Sequence, residues 1–191
     1  MALPLDCRNR VGVNGRGAFR FALALAVLAT AALLADSAFA RSRSSERKLG
    51  TLNHQVLAAV NAFRAAHGRP ALHESAALDR SARQHSLEMG RLGYFGHSSA
   101  DGTVFWRRIQ HYYPARGHSY WSVGENLVWA SPSLSAAKAM HLWIGSPPHL
   151  KNLLSHQWRQ IGISAVGVAH APGVYGGGHA VIITTDFGVR R

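Results

Sequence analysis

Residues 161–188 read "IGISAVGVAHAPGVYGGGHAVIITTDFG". Two short runs rich in apolar and β-branched residues, Ile161 to Ala169 and Ala180 to Gly188, flank "PGVYGGG" at 172–178. That pattern predicts two antiparallel strands joined by a glycine-rich loop. Upstream, apolar residues recur at three- and four-residue steps instead. Helices first and strands last argue for α+β layers and against an alternating parallel sheet.

Working back from the strands, "WIGSPPHLKNLL" (143–154) interrupts a helical pattern. Pro147 and Pro148 remove two backbone donors and fix φ, so a helix predicted over Leu134 to Ile144, capped by Ser133, must stop before His149. A first helix is predicted from Leu52, with Val56, Val60 and Phe63 on one face, ending near Gly68 and Pro70. A second runs from Ser75 to about Arg91 on the stripe Leu78, Ala82, His85 and Met89. "GTVFWRRIQHYY" (102–113) predicts a short third helix, and a loop containing Pro114, Gly117 and Gly124 follows it. The chain contains no internal repeat and no low-complexity tract.

At the other end, Arg16 and Arg20 precede an apolar run from Phe21 to Ala35 and then Ala38-Phe39-Ala40. Charge, apolar run and small-residue cleavage site make residues 1–40 a signal peptide cut after Ala40. The run is shorter than the ~20 residues that span a bilayer, so a lasting membrane tether is the secondary reading, for a leader that is not cleaved. Residues 41–50 are a polar, charged lead-in, and 51–191 form one domain with room for a core. The chain is therefore expected to be secreted or periplasmic.

The 191 residues include 21 Lys and Arg, nine Asp and Glu, 12 His and one Cys. The leader takes four of the basic residues and two of the acids, leaving the exported part at a net +10 with His neutral. Outside the cell such charge suits phospholipid headgroups or anionic envelope polymers. The basic residues are mostly scattered and no nucleic-acid motif accompanies them, so nucleic acid is not expected as a partner. Cys7 lies in the leader, which leaves the exported chain without a thiol nucleophile or disulfide-linked partner.

Three residues stand where a side chain can be aimed into a cleft. His97 follows the second helix, His149 follows the prolines, and Glu125 lies in "GENL" beside Asn126. Two imidazoles and a carboxylate suffice for an open divalent-metal site or for a hydrogen-bonded acid–base cluster. Spacing alone does not choose between these and an ordinary helix-end histidine, a surface histidine and a solvated acid. His85 lies on an apolar stripe and reads as a core histidine. His54, His67, His73, His111, His118, His141, His156, His170 and His179 read as structural or solvent-facing.

Other chemistries are poorly served. Ser98 and Ser146 lie near His97 and His149, but no G-x-S-x-G elbow is present. A glycosidase pair lacks an evident partner for Glu125, since Asp101 reads as a turn residue and Asp186 as a strand-end residue. Of the tryptophans, 106, 121, 129, 143 and 158, a row of this kind is more often core than binding platform.

Taken together, "NAFRAAHGRPAL" (61–72), "YFGHSSADG" (94–102), "VGENL" (123–127) and "WIGSPPHLKNLL", followed by "IGIS" and a closing β run, resemble the CAP superfamily of cysteine-rich secretory, antigen 5 and pathogenesis-related 1 proteins. The bacterial SCP-like extracellular branch is the nearest in pattern, over Leu52 to about Gly188. The resemblance implies a three-layer α-β-α sandwich with a central antiparallel sheet and a cleft lined by His97, Glu125 and His149. It implies a divalent metal, often zinc, held by His97 and His149. The fuller family site has a second glutamate where Ser146 stands here. On this basis the chain is expected to be a monomeric envelope or extracellular binding module for a lipid or anionic ligand. The alternatives are a metal-assisted hydrolase with Glu125 as base, and a purely structural His/Glu cluster.

Overall fold

The computed structural model describes residues 49–191; the predicted leader, its predicted cleavage site and the predicted lead-in up to residue 48 lie outside the described residues. Helix α1 occupies residues 49–66 and so includes positions 49 and 50. Strand β1 (His73–Glu74) leads into α2 (Ala76–Leu92) and α3 (Phe105–Tyr112). Then come β2 (Trp121–Ala130), α4 (Ala136–Ile144), α5 (Pro147–Leu154), β3 (Gln160–Val168) and β4 (Ala180–Arg190). Among the described residues no helix is long and apolar enough to cross a membrane.

The sheet order is β1-β3-β4-β2. The β-branched runs on either side of the glycine-rich loop pair antiparallel as β3 and β4, and β4 also pairs antiparallel with β2. Only the two-residue β1 runs parallel to its neighbour, so the three long strands are antiparallel and the sheet as a whole is mixed. Because strand side chains alternate, β4 serves two layers at once. Val181, Ile183, Phe187 and Val189 pack with Leu52, Val56 and Val60 of α1, Met140 and Trp143 of α4 and Leu153 of α5. Ile182 on the opposite face meets Met89 of α2. Beyond it, Thr184 accepts a 2.8 Å hydrogen bond from the Ser86 hydroxyl of the same helix. The result is the expected sandwich of helices on both faces of the sheet.

Close approach of α2 to the sheet depends on glycine. A Cβ at Gly162 of β3 would lie 2.1 Å from the carbonyl carbon of Leu78, which only a residue without a side chain avoids. Across the other face, α1 is tied to α5 by buried Arg64. Its Nε donates to Pro70 O at 2.9 Å and its Nη1 to Leu153 O and Ser155 O at 2.7 and 3.0 Å, which satisfies carbonyls at the α5 C-terminus.

Three sequence expectations require correction. Residues 121–130, read as the far part of a loop, form the ten-residue strand β2. Its alternation is masked because Gly124, Glu125 and Asn126 are all buried. The cap of α4 is Ser135, whose side chain accepts from Lys138 N, and not Ser133. The prolines do more than stop a helix: α4 ends at Gly145, and Pro147 and Pro148 form the first turn of α5. There the missing N–H groups cost nothing, since first-turn donors have no intrahelical partner.

Candidate functional site

Glu125 lies inside β2, not in a loop, and its side chain is fully buried. Both of its oxygens are committed. Oε1 accepts from His97 Nδ1 at 2.7 Å, and Oε2 accepts a charge-assisted bond from Arg108 Nη2. Because a carboxylate only accepts, His97 carries its proton on Nδ1 and presents Nε2 outward. The His97 side chain is 51 % exposed, so it is the solvent-facing part of this cluster.

The loop that carries His97 is fixed from several sides. His85, fully buried on α2, donates from Nε2 to Gly96 O at 2.8 Å. Its sequence reading as a core histidine is borne out, and burial holds its pKa below the usual 6.5. Glu88 accepts from the Tyr94 hydroxyl and from Ala100 N. Arg108 reaches from α3 to donate to His97 O at 3.1 Å and Ser99 Oγ at 3.3 Å, as well as to Glu125. Asp101 is a turn residue as read, accepting from Thr103 N at 2.8 Å.

His149 belongs to the first turn of α5, and β2 sets the position of that turn. Asn126 Nδ2 donates to His149 O at 3.1 Å, and Asn152 Nδ2 donates to Glu125 O and Asn126 Oδ1 at 3.0 and 2.9 Å. Gly124 allows this approach, since a Cβ there would meet Trp158 at 2.9 Å and Asn152 at 3.0 Å. Burial first, and the charge of His97 second, keep the His149 pKa below its ordinary value. The two imidazoles therefore share one electrostatic neighbourhood. Ser146 is the half-buried N-cap of α5, and its side chain makes no capping bond.

The structure thus brings His97 and Glu125 into contact and places His149 and Asn126 alongside, with Asn126 acting as a backbone anchor. Among the described residues, no three His, Cys, Asp or Glu side chains are grouped so as to hold a metal ion. Arg108 is the functional residue that the sequence reading missed. An arginine in the middle of an amphipathic turn carries no mark of its partner 17 positions away. Of the tryptophans, Trp143 and Trp158 are core residues and Trp106 is 40 % exposed.

A family model described as the cysteine-rich secretory protein family, CAP, matches residues 57–182. No curated protein matches the sequence. Among solved structures, an SCP-domain extracellular protein from Bacillus anthracis str. Ames is similar at 24 % identity and TM-score 0.59, over 77 % of this chain and 43 % of that one. An outer surface protein from Borrelia burgdorferi is similar at 18 % identity and TM-score 0.57, over 71 % and 90 %. A cysteine-rich secretory protein from Staphylococcus aureus subsp. aureus Mu50 is similar at 14 % identity and TM-score 0.52, over 73 % and 38 %. The chain thus spans less than half of the Bacillus and Staphylococcus proteins. At these identities the likeness is one of fold.

Proposed function

The chain belongs to the cysteine-rich secretory protein (CAP) family, and on that premise we propose that it is an envelope or extracellular binding module for an anionic component, a lipid headgroup or an acidic polymer. One observation carries this reading: the Glu125 carboxylate is buried with both oxygens engaged, while the His97 imidazole stands half exposed. A ligand meets imidazole edges on a strongly basic domain. The similar solved proteins include one described as extracellular and one as an outer surface protein, which agrees with this location. Co-sedimentation with phosphatidylglycerol vesicles and with isolated cell-wall polymer tests it. Retention that weakens with added salt is expected, because screening shortens the reach of surface charge. Retention by neither material refutes the proposal.

We infer a looser second role for the two imidazoles, the holding of a divalent ion such as zinc. His97 Nε2 and the His149 ring would supply the two protein ligands, and such an ion would lend Lewis acidity. Only neutral imidazole ligates, so affinity is expected to fall as pH drops through the histidine range. Calorimetric zinc titration is the check, and unchanged binding in the His97→Ala, His149→Ala double variant rules out this pair as the ligands.

A hydrolase reading draws on the His97–Glu125 pair, which has the geometry of an oriented base. Glu125 itself has no exposed oxygen with which to activate water, so the base in such a reaction is His97 Nε2, with Glu125 holding its tautomer. Peptidase or esterase turnover abolished by His97→Ala supports this version. Turnover that survives the substitution removes it.

A further inference from the structure

Asp186 sits directly opposite Glu125 in the β2–β4 ladder and is completely buried. Neither of its carboxyl oxygens meets a donor at full hydrogen-bonding geometry, and the help that Ser81 and Arg108 give the ionised form is smaller than the burial and the Glu125 charge that oppose it. The groups acting on it are Glu125 from β2, Arg108 from α3 and Ser81 from α2, whereas its β3 register partner is Gly162, which has no side chain. The nearby guanidinium is already bonded to Glu125. Two like charges directly opposite on a ladder repel, and a buried charge without a donor is costly. A carboxylate facing a carboxylate receives no hydrogen bond from it. A carboxylic acid in the same place has a proton to donate and an acceptor in front of it.

We propose that Asp186 is a positioning residue of the cleft, a neutral carboxylic acid whose hydroxyl donates to Glu125 from within the sheet and so turns the two Glu125 oxygens toward His97 and Arg108. The pair then holds one proton, and the cluster of Asp186, Glu125 and Arg108 is neutral. Burial and the neighbouring Glu125 charge both push the Asp186 pKa well above the usual 3.8. Ser146 leaves the outer cleft without a second acid, and Asp186 supplies one from behind. The assignment does not depend on what the cleft binds.

Infrared spectroscopy of the full chain at mildly alkaline pH, above the range of the other raised aspartate, Asp79, provides the test. A carbonyl band of a protonated carboxyl group is expected, shifted when aspartate is labelled with carbon-13 at its side-chain carboxyl, and lost in Asp186→Asn. No such band, a band unmoved by the aspartate label, or a band that survives Asp186→Asn overturns the proposal. The positioning role has a separate readout in the nitrogen-15 shifts of the His97 ring. Asp186→Asn keeps an N–H donor and is expected to retain the Nδ1–H tautomer, whereas Asp186→Leu is expected to lose that preference. A wild-type tautomer in Asp186→Leu defeats the positioning role. Should that variant not fold, the infrared result on Asp186→Asn still decides the protonation.

Discussion

Arg108 bonds the Glu125 carboxylate, the His97 carbonyl and the Ser99 hydroxyl, with its own side chain only 2 % exposed. Removing one partner of a buried ion pair strands the other charge without solvent, which costs about 3 kcal/mol or more. Arg108→Met is therefore expected to destabilise the protein by roughly that amount in urea unfolding. Adding Glu125→Gln to it is expected to return part of the loss, a coupling that a double-mutant cycle measures. Asp79 gives a pH-dependent counterpart. Its Oδ1 accepts from Ile163 N at 2.8 Å, yet burial raises its pKa from 3.8 to about 6. The folded state thus binds a proton that the unfolded state has released. The associated stability is complete below pH 3.8 and is lost as pH rises through about 6. Asp79→Asn, which keeps the acceptor, is expected to remove that decline from a melting-temperature profile. His85 has the opposite sign. Held neutral by burial, it lets stability fall as pH drops below 6.5, where the unfolded chain takes up the proton first.

Among the elements, α2 and the β3–β4 pair show how far local pattern carries. The stripe Leu78, Ala82, His85 and Met89 is buried as its spacing predicts, and Gly93 ends the helix in the left-handed conformation. The strand pair was equally plain, because its β-branched runs are bounded by glycine. β2 was not, because its middle is a polar site inside a strand: Glu125 faces Arg108 and His97, while Asn126 faces α5. Periodicity reports water on one side and hydrocarbon on the other, and neither applies there. The helix-to-strand contact at Gly162 makes the sharpest element-scale prediction. Gly162→Ala places a methyl 2.1 Å from the Leu78 backbone, where no side chain can rotate away. A destabilisation of about 3 kcal/mol is expected from such overpacking, read as a lower urea midpoint. A variant as stable as wild type contradicts the close packing of α2 on β3.

For the molecule as a whole, the α+β class and the family were legible, the latter from its four short segments. The order of elements was only partly so, because β2 precedes α4 and α5 instead of joining the strands at the end. The approach of His97 to Glu125 followed from the family resemblance and not from spacing. Pairings across long separations were illegible: Arg64 with Leu153, 89 positions away, and Glu125 with Asp186, which had read as an ordinary strand-end acid. Such contacts are set only when both layers have closed on the sheet. Arg64→Met tests one of them. It leaves the Leu153 and Ser155 carbonyls without their donor and is expected to cost about 2 kcal/mol, with faster amide exchange in the last turn of α5.

Strand β4 is hydrogen-bonded on both sides, to β2 and to β3, and it follows both of them in sequence. Until residues 180–190 are placed, residues 121–168 carry β2 and β3 with the seat between them vacant. The sheet therefore closes only when residues 180–190 enter that seat, and a chain lacking them leaves the facing edges of β2 and β3 without partners.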